Sequence, residues 1–235
     1  MADIEKDLAA HLTEVAIALQ QRRSEQETMD AIVHAAVGTI PGAEHAGIMT
    51  VTGKRHIDTV ATTGDLPCEV DRAQYASGEG PCLTALFEEA VVSVPDVAAD
   101  DRWPAFAPKA AALDIGSMLS FQLYAQNEDL GALNLYALEP NAFGDESRHV
   151  GSLFAGHAAI ALASAQERRQ LTAAVQTRDM IGQAKGILME RHGLSADQAF
   201  AVLTRTSQHT NLKLRDIAER LTTTGKLPTP GESTP

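Results

Sequence analysis

Aromatic side chains are scarce in this chain. Phe, Tyr and Trp together make 4% of its 235 residues, with a single Trp, and cysteine occurs only twice. Cys68 and Cys82 are too few for the disulfide framework of a small secreted domain, so they read as reduced thiols of a cytoplasmic protein. No apolar run approaches the roughly 18 residues that a membrane-spanning helix needs. The N-terminal MADIEKDLAAHL is acidic and lacks the basic-then-apolar order of a signal peptide. Also missing are a phosphate-cradling glycine loop, a serine nucleophile elbow and a histidine pair at metal-ligand spacing. The expectation is a non-enzymatic protein with no metal site and no membrane partner.

What the chain has is an uneven charge. The net charge is −12. Residues 1–165 hold 9 Lys+Arg against 24 Asp+Glu, whereas residues 166–235 hold 10 against 7. An acidic front and a mildly basic back suggest that the two parts face different partners.

Hydrophobic periodicity changes at the same place. Leu8, Leu12, Val15 and Leu19 recur at helical spacing, and Ser24 with Glu27 predicts the cap of a second helix carrying Met29, Ile32, Val33, Ala36 and Val37. AGIMTVTG and RHIDTVATTG are β-branched runs joined by a short Gly-Lys turn, a hairpin signal. EGPCLTALFEEA reads as a helix with Pro81 in its first turn, VVSVPD as a short strand, and RWPAFAPKAAALDIG as a helix with an irregular start. The stretch 65–77 receives no element. A strand, polar turn and strand follow over 117–140, and then a helix from about Asp145. Helices bracketing antiparallel strands define an α+β domain.

Within that domain, GEGPCLTAL, VPDVAADDRWPAF and LGALNLYALEPNAFGDES resemble a GAF domain over roughly residues 24–165. The resemblance implies a sensory, dimerising module with a small-ligand pocket beneath the helix-bearing crossover. The Asn-Lys-Phe-Asp-Glu pattern of cyclic-nucleotide GAF domains is absent, so the ligand is left unnamed and no cofactor is assigned. Candidate ligand-binding residues are Cys82, whose thiolate a helix N-terminus would stabilise, and the aromatic Trp103 and Phe106. Burial in the core is the alternative for all three.

No proline or turn cluster interrupts 151–193, so the closing helix of this domain is expected to run on through the polar SAQERRQ. Leu171, Val175, Ile181 and Leu188 then suggest a renewed apolar face. Ser195 with Gln198 makes a capping box ahead of Ala199, Val202 and Leu203, with Phe200 widening the inward side. Leu214, Ile217, Ala218 and Leu221 define a third helix that Gly225 stops. Gly182 and Gly186 each cost roughly 1 kcal/mol against alanine inside a helix. Close packing of the following helices is the expected reason for at least one of them, with nucleic-acid approach open for the other.

The segment 178–221, RDMIGQAKGILMERHGLSADQAFAVLTRTSQHTNLKLRDIAERL, resembles an ANTAR domain along its whole length. The resemblance implies a three-helix bundle that binds RNA as a homodimer. It holds paired stem-loops with hexanucleotide loops in nascent transcripts and so acts on RNA polymerase indirectly, through antitermination. The domain plan is then 1–165 GAF-like, 166–225 ANTAR-like and 226–235 a disordered tail. Arg178, Lys185, Arg191, Arg205, Lys213 and Arg215 offer cations to phosphates, Gln183 and Asn211 offer hydrogen bonds to loop bases, and Gly186 permits close approach. Two rival classes stand beside RNA binding: a DNA-binding regulator, and a sensory or scaffold protein whose last helices only dimerise. LKLRDIAERL resembles the first helix of a helix-turn-helix, but TTTGKLPTPGESTP is not expected to form a recognition helix.

Overall fold

The computed structural model describes residues 2–22, 24–52, 56–125 and 128–228 of the chain, which divides into two compact units, 1–167 and 168–235. The Gly-Lys hairpin turn and most of the expected C-terminal tail lie outside the described residues.

In the first unit, α1 (Ala2–Gln20) and α2 (Glu25–Thr39) precede a five-stranded sheet. Its strands are β1 (His45–Thr52), β2 (His56–Thr62), β3 (Val91–Val94), β4 (Ser117–Ala125) and β5 (Glu128–Ala137). Every pairing is antiparallel and the order is β2-β1-β5-β4-β3. Between β2 and β4 lie α3 (Asp65–Ser77), α4 (Pro81–Phe87) and the short α5 (Ala107–Ala111). The sequence pattern passes over α3 and overextends α5, whose expected start is turn structure over 104–106.

Strand alternation sends side chains to two different cores. Ile48, Leu119, Phe121, Leu123, Leu133 and Leu135 pack with Ile32 and Val33 of α2 and with Phe154, Ala158 and Leu162 of α6 (Asp145–His192). Met49, Met118, Ala132 and Tyr136 point the other way, to Val70, Cys82, Leu86, Trp103 and Phe106. Full burial of each large apolar side chain favours folding by about 1.5–3 kcal/mol, so both faces of the sheet are held. A register shift between Ile48 and Met49 leaves Val60 without an opposite residue, and Val60 and Ala61 both serve the α2 face. The bulge turns Thr59 toward α3.

The second unit holds the C-terminal part of α6 with α7 (Ala196–Thr210) and α8 (Leu214–Thr224). Its core is Ala184, Leu188, Ala199, Leu203, Ile217, Ala218 and Leu221, with Leu227 packed against it. Ser195 and Gln198 form the expected reciprocal capping box on α7, and Gly225, at φ +73°, ends α8. Leu171 and Val175 stand about 60% exposed and do not continue the apolar face of Leu188, contrary to the sequence expectation. They lie outside the arc of α6 that carries Ala184 and Leu188.

Two glycines of α6 separate packing from permissiveness. An added Cβ at Gly151 would overlap the Phe121 ring, whereas one at Gly156 meets nothing within 4 Å among the described residues. Gly151→Ala should destabilise the unit by about 1–3 kcal/mol through overpacking, while Gly156→Ala should stabilise it by up to about 1 kcal/mol through helix propensity. Urea unfolding followed by circular dichroism checks both; the same sign for both variants would contradict this packing.

Candidate functional site

On the α3 side of the sheet the buried face of a helix is polar. Pro67, Val70, Asp71 and Gln74 recur at helical spacing on α3, and all four are buried. A carboxylate with no exposed surface needs donors, and Asp71 has three O–H or N–H donors besides the Cys82 thiol at 4.0 Å. The Tyr136 hydroxyl donates to its Oδ1 at 2.6 Å, Thr59 Oγ1 donates to Oδ2 at 2.7 Å, and Gln74 Nε2 donates to Oδ1 at 3.2 Å. Gln74 also reaches α4, with Nε2 at 2.8 Å from Cys82 Sγ and Oε1 accepting from the Cys82 amide at 2.9 Å. Gly80, at φ +146°, stands where a Cβ would overlap the Gln74 amide, so glycine there lets α4 start against α3.

Burial sets the protonation behaviour of this cluster. It pushes the Asp71 carboxyl up to about 6, against the lowering effect of the three hydrogen bonds. Burial, then the Asp71 charge, pushes the Cys82 thiol, the Tyr75 hydroxyl and the Tyr136 hydroxyl above their ordinary ranges. Cys82 is therefore a buried neutral thiol, not a thiolate activated by a helix end. Cys68 is also unpaired. Nearby on the same sheet face, both amide atoms of the fully buried Asn134 find no partner among the described residues.

Outside this cluster a cavity of about 960 Å³ opens between β2, α3 and α4. Thr59 and Tyr75 line it and also touch the cluster, since Thr59 Oγ1 lies 2.8 Å from Tyr75 Oη. Trp103, Leu83, Phe87 and Ile57 give apolar walls, and Asp58, Glu79, Glu88 and Arg72 supply charge. Of the three ligand candidates only Trp103 lines the cavity. Cys82 and Phe106 belong to the core beneath α3 and α4. Arg102 stacks over Trp103 at 4.3 Å from the ring centroid.

In the second unit Gly182 and Gly186 are exposed, and an added Cβ at either would meet nothing within 4 Å among the described residues. Neither glycine is needed for packing against α7 or α8, which corrects the sequence expectation. Phe200 is corrected too: it is 43% exposed rather than inward, and the Lys185 ammonium stands 5.9 Å from its ring centroid. Gln183, Gly186 and Arg191 line a shallow groove with Thr222. The Arg191 guanidinium donates to the Gly225 carbonyl at 2.5 Å, a bond that ties α6 to the end of α8. Arg178 and Arg205 are exposed on α6 and α7. Asn211 (φ 53°) and Lys213 cap the two ends of the α7–α8 turn, and Arg215 pairs with Asp216 at 3.4 Å. The predicted cations are thus spread over three helices and a turn, and Lys185 among them stands over an aromatic ring, that of Phe200.

The GAF domain model matches residues 22–163, more than half of the chain. The chain belongs to the GAF domain family. An ANTAR domain follows, its model matching residues 169–221. No curated protein matches the chain. Among solved structures, the GAF domain of an Acinetobacter phosphoenolpyruvate-protein phosphotransferase is similar at TM-score 0.54 and 14% identity, covering 71% of this chain and 97% of that one. The corresponding GAF domain from Coxiella burnetii has TM-score 0.54 and 18% identity, covering 69% and 96%. The Stigmatella aurantiaca phytochrome photosensory core module has TM-score 0.58 at 10% identity, covering 88% of this chain and 45% of that one. At such identities these likenesses establish the fold alone. The polar hub of the GAF domain, Asp71, Gln74, Thr59, Tyr75 and Tyr136, is absent from the sequence-based candidates. The 67-70-71-74 spacing was its one legible trace.

Folding raises the Asp71 pKa, so the folded GAF domain holds that proton more tightly than the unfolded chain does. Its contribution to stability is complete below the unfolded carboxyl pKa of about 4 and is lost as pH rises through about 6. The non-titrating Asp71→Asn variant should therefore gain about 1 kcal/mol relative to the wild type between pH 5 and pH 8. Urea unfolding read through Trp103, the single Trp of the chain, measures this in the GAF domain. A difference independent of pH would contradict the buried-carboxylate account.

Proposed function

We propose that the chain is a signal-responsive RNA-binding regulator in which the ANTAR domain engages paired stem-loops of nascent RNA and the GAF domain sets its response. In this reading it acts in transcription antitermination, touches RNA polymerase only through the transcript, catalyses no reaction, and works in the cytoplasm as a homodimer. The observation that carries it is the outward face of the ANTAR domain. Gly182 and Gly186 give up helix propensity without gaining a packing contact, and beside them stand a lysine and an exposed phenylalanine.

An RNA loop explains that combination physically. A backbone can approach α6 where side chains are missing, the Lys185 ammonium can meet a phosphate, and an unstacked base can lie on Phe200. Phe200, which the sequence pattern places on the inward side of α7, is exposed and available for such stacking. Arg178 and Arg205 are exposed and available to further phosphates. Gln183 and Asn211, both exposed, are the proposed base-reading amides, with Lys213 and Arg215 beside Asn211. Arg191 contributes less, since its guanidinium already serves Gly225.

The chain should bind an RNA carrying two hairpins with hexanucleotide loops and bind duplex DNA of the same sequence poorly, as measured by fluorescence anisotropy across a salt series. Lys185→Ala should lower the salt slope by about one. Phe200→Leu should weaken binding about tenfold without changing that slope, as expected for loss of one stacked base. Gly182→Ala should stabilise the domain yet weaken RNA binding. Equal affinity for duplex DNA would favour the DNA-binding class, and absence of RNA affinity would favour a purely sensory or dimerising role.

A further inference from the structure

Hydrogen-bond polarity at the GAF cavity restricts what can occupy it. Asp71 is an acceptor, so the single hydroxyl proton of Thr59 is committed to it over 2.7 Å. The 2.8 Å contact between Thr59 and Tyr75 then requires Tyr75 to be the donor. Tyr75 stays protonated, because burial and then the Asp71 charge hold its hydroxyl above the ordinary range. Each proton in this chain points inward, toward the buried carboxylate. What Tyr75 has left to offer the cavity is an acceptor oxygen.

The rest of the lining has the same preference. Among the described lining residues Asp58, Glu79 and Glu88 bring three carboxylates and Arg72 one guanidinium, so acidic groups outnumber basic ones. One Glu79 oxygen is engaged by the amides of Ala105 and Phe106 at 2.6 and 3.2 Å, which fixes that carboxylate at the rim. Tyr75 and Phe87 supply aromatic surface, and Trp103 adds the part of its ring that Arg102 does not cover. Aromatic faces attract a cation, and a low-dielectric wall strengthens the attraction. We infer that the cavity between β2, α3 and α4 takes a small organic cation: a protonated amine on an aromatic or apolar body, with its N–H donating to Tyr75 Oη. The inference rests on the GAF domain being the ligand-sensing part of the regulator, and it names the class of ligand.

Phenethylamine and its carboxylate counterpart hydrocinnamate are suitable probes. They share a phenyl body and differ in charge, and neither carries an indole that would mask Trp103. Titrated into the full chain and followed by Trp103 fluorescence and calorimetry, phenethylamine should bind at least about tenfold more tightly than hydrocinnamate. Tyr75→Phe should lower amine affinity by about tenfold, the loss of one hydrogen bond to a charged group. Glu88→Gln, an exposed change without folding consequence, should lower it less and leave hydrocinnamate unaffected or improved. Preference for hydrocinnamate would overturn the cationic class and leave the sensory reading standing. Failure of both probes to bind would overturn both, and RNA affinity, measured separately on the same protein, is independent of either outcome. Unchanged amine affinity in Tyr75→Phe would overturn the assigned contact.

Discussion

A carboxylate without water must be surrounded by donors, and the crossover side of the GAF domain is arranged around that requirement at Asp71. Thr59 comes from β2, Tyr136 from β5 and Gln74 from α3 itself, so one side chain fixes α3 against two non-adjacent strands. Gln74 extends the constraint to the first residues of α4. Removing any one partner leaves the others facing an unsatisfied buried group, which costs about 1–3 kcal/mol. Such a network gives α3 a single position, at the expense of burying a charge that an apolar stripe would have avoided.

The same constraint reaches the cavity. The network ends at Tyr75 and Thr59, two residues that also line the cavity. A ligand bound at Tyr75, as proposed above, would alter the outermost hydrogen bond of a chain leading to the sheet. Ligand contact and the position of α3 would then be expressed through the same atoms. For the ANTAR domain the governing constraint is of another kind. Its core is apolar and simple, and its informative feature is an outward helix face kept bare at Gly182 and Gly186.

How much of this could be read from the sequence depended on where apolar periodicity carried the information. The two-part plan follows from the change of charge and periodicity near residue 165, and the capped start of α7 and the stop of α8 follow from Ser195, Gln198 and Gly225, whose roles are local. The sheet strands follow from β-branched runs bounded by turn residues. Helix α3 was not legible because its buried positions include Asp71 and Gln74, and a search for apolar residues at helical spacing passes over them. Phe200 misled for the opposite reason: an apolar side chain beside an inward stripe was assigned to the core, yet it lies at the stripe's edge and is partly exposed. Gly182 and Gly186 marked an unusual helix correctly, but only coordinates distinguish a glycine that admits a neighbour from one that faces open space. Tyr75 and Thr59 had no signature at all, since their pairing depends on a bulge in β2.

The central claim is that RNA meets the chain at the bare face of α6 beside Phe200. Ultraviolet crosslinking of the 235-residue chain to a paired-hairpin RNA, with the modified peptides mapped by mass spectrometry, tests it most directly. The account predicts adducts on peptides of residues 178–205 that contain Lys185 or Phe200. Adducts confined to residues 1–167, with that ANTAR segment unmodified, would contradict it.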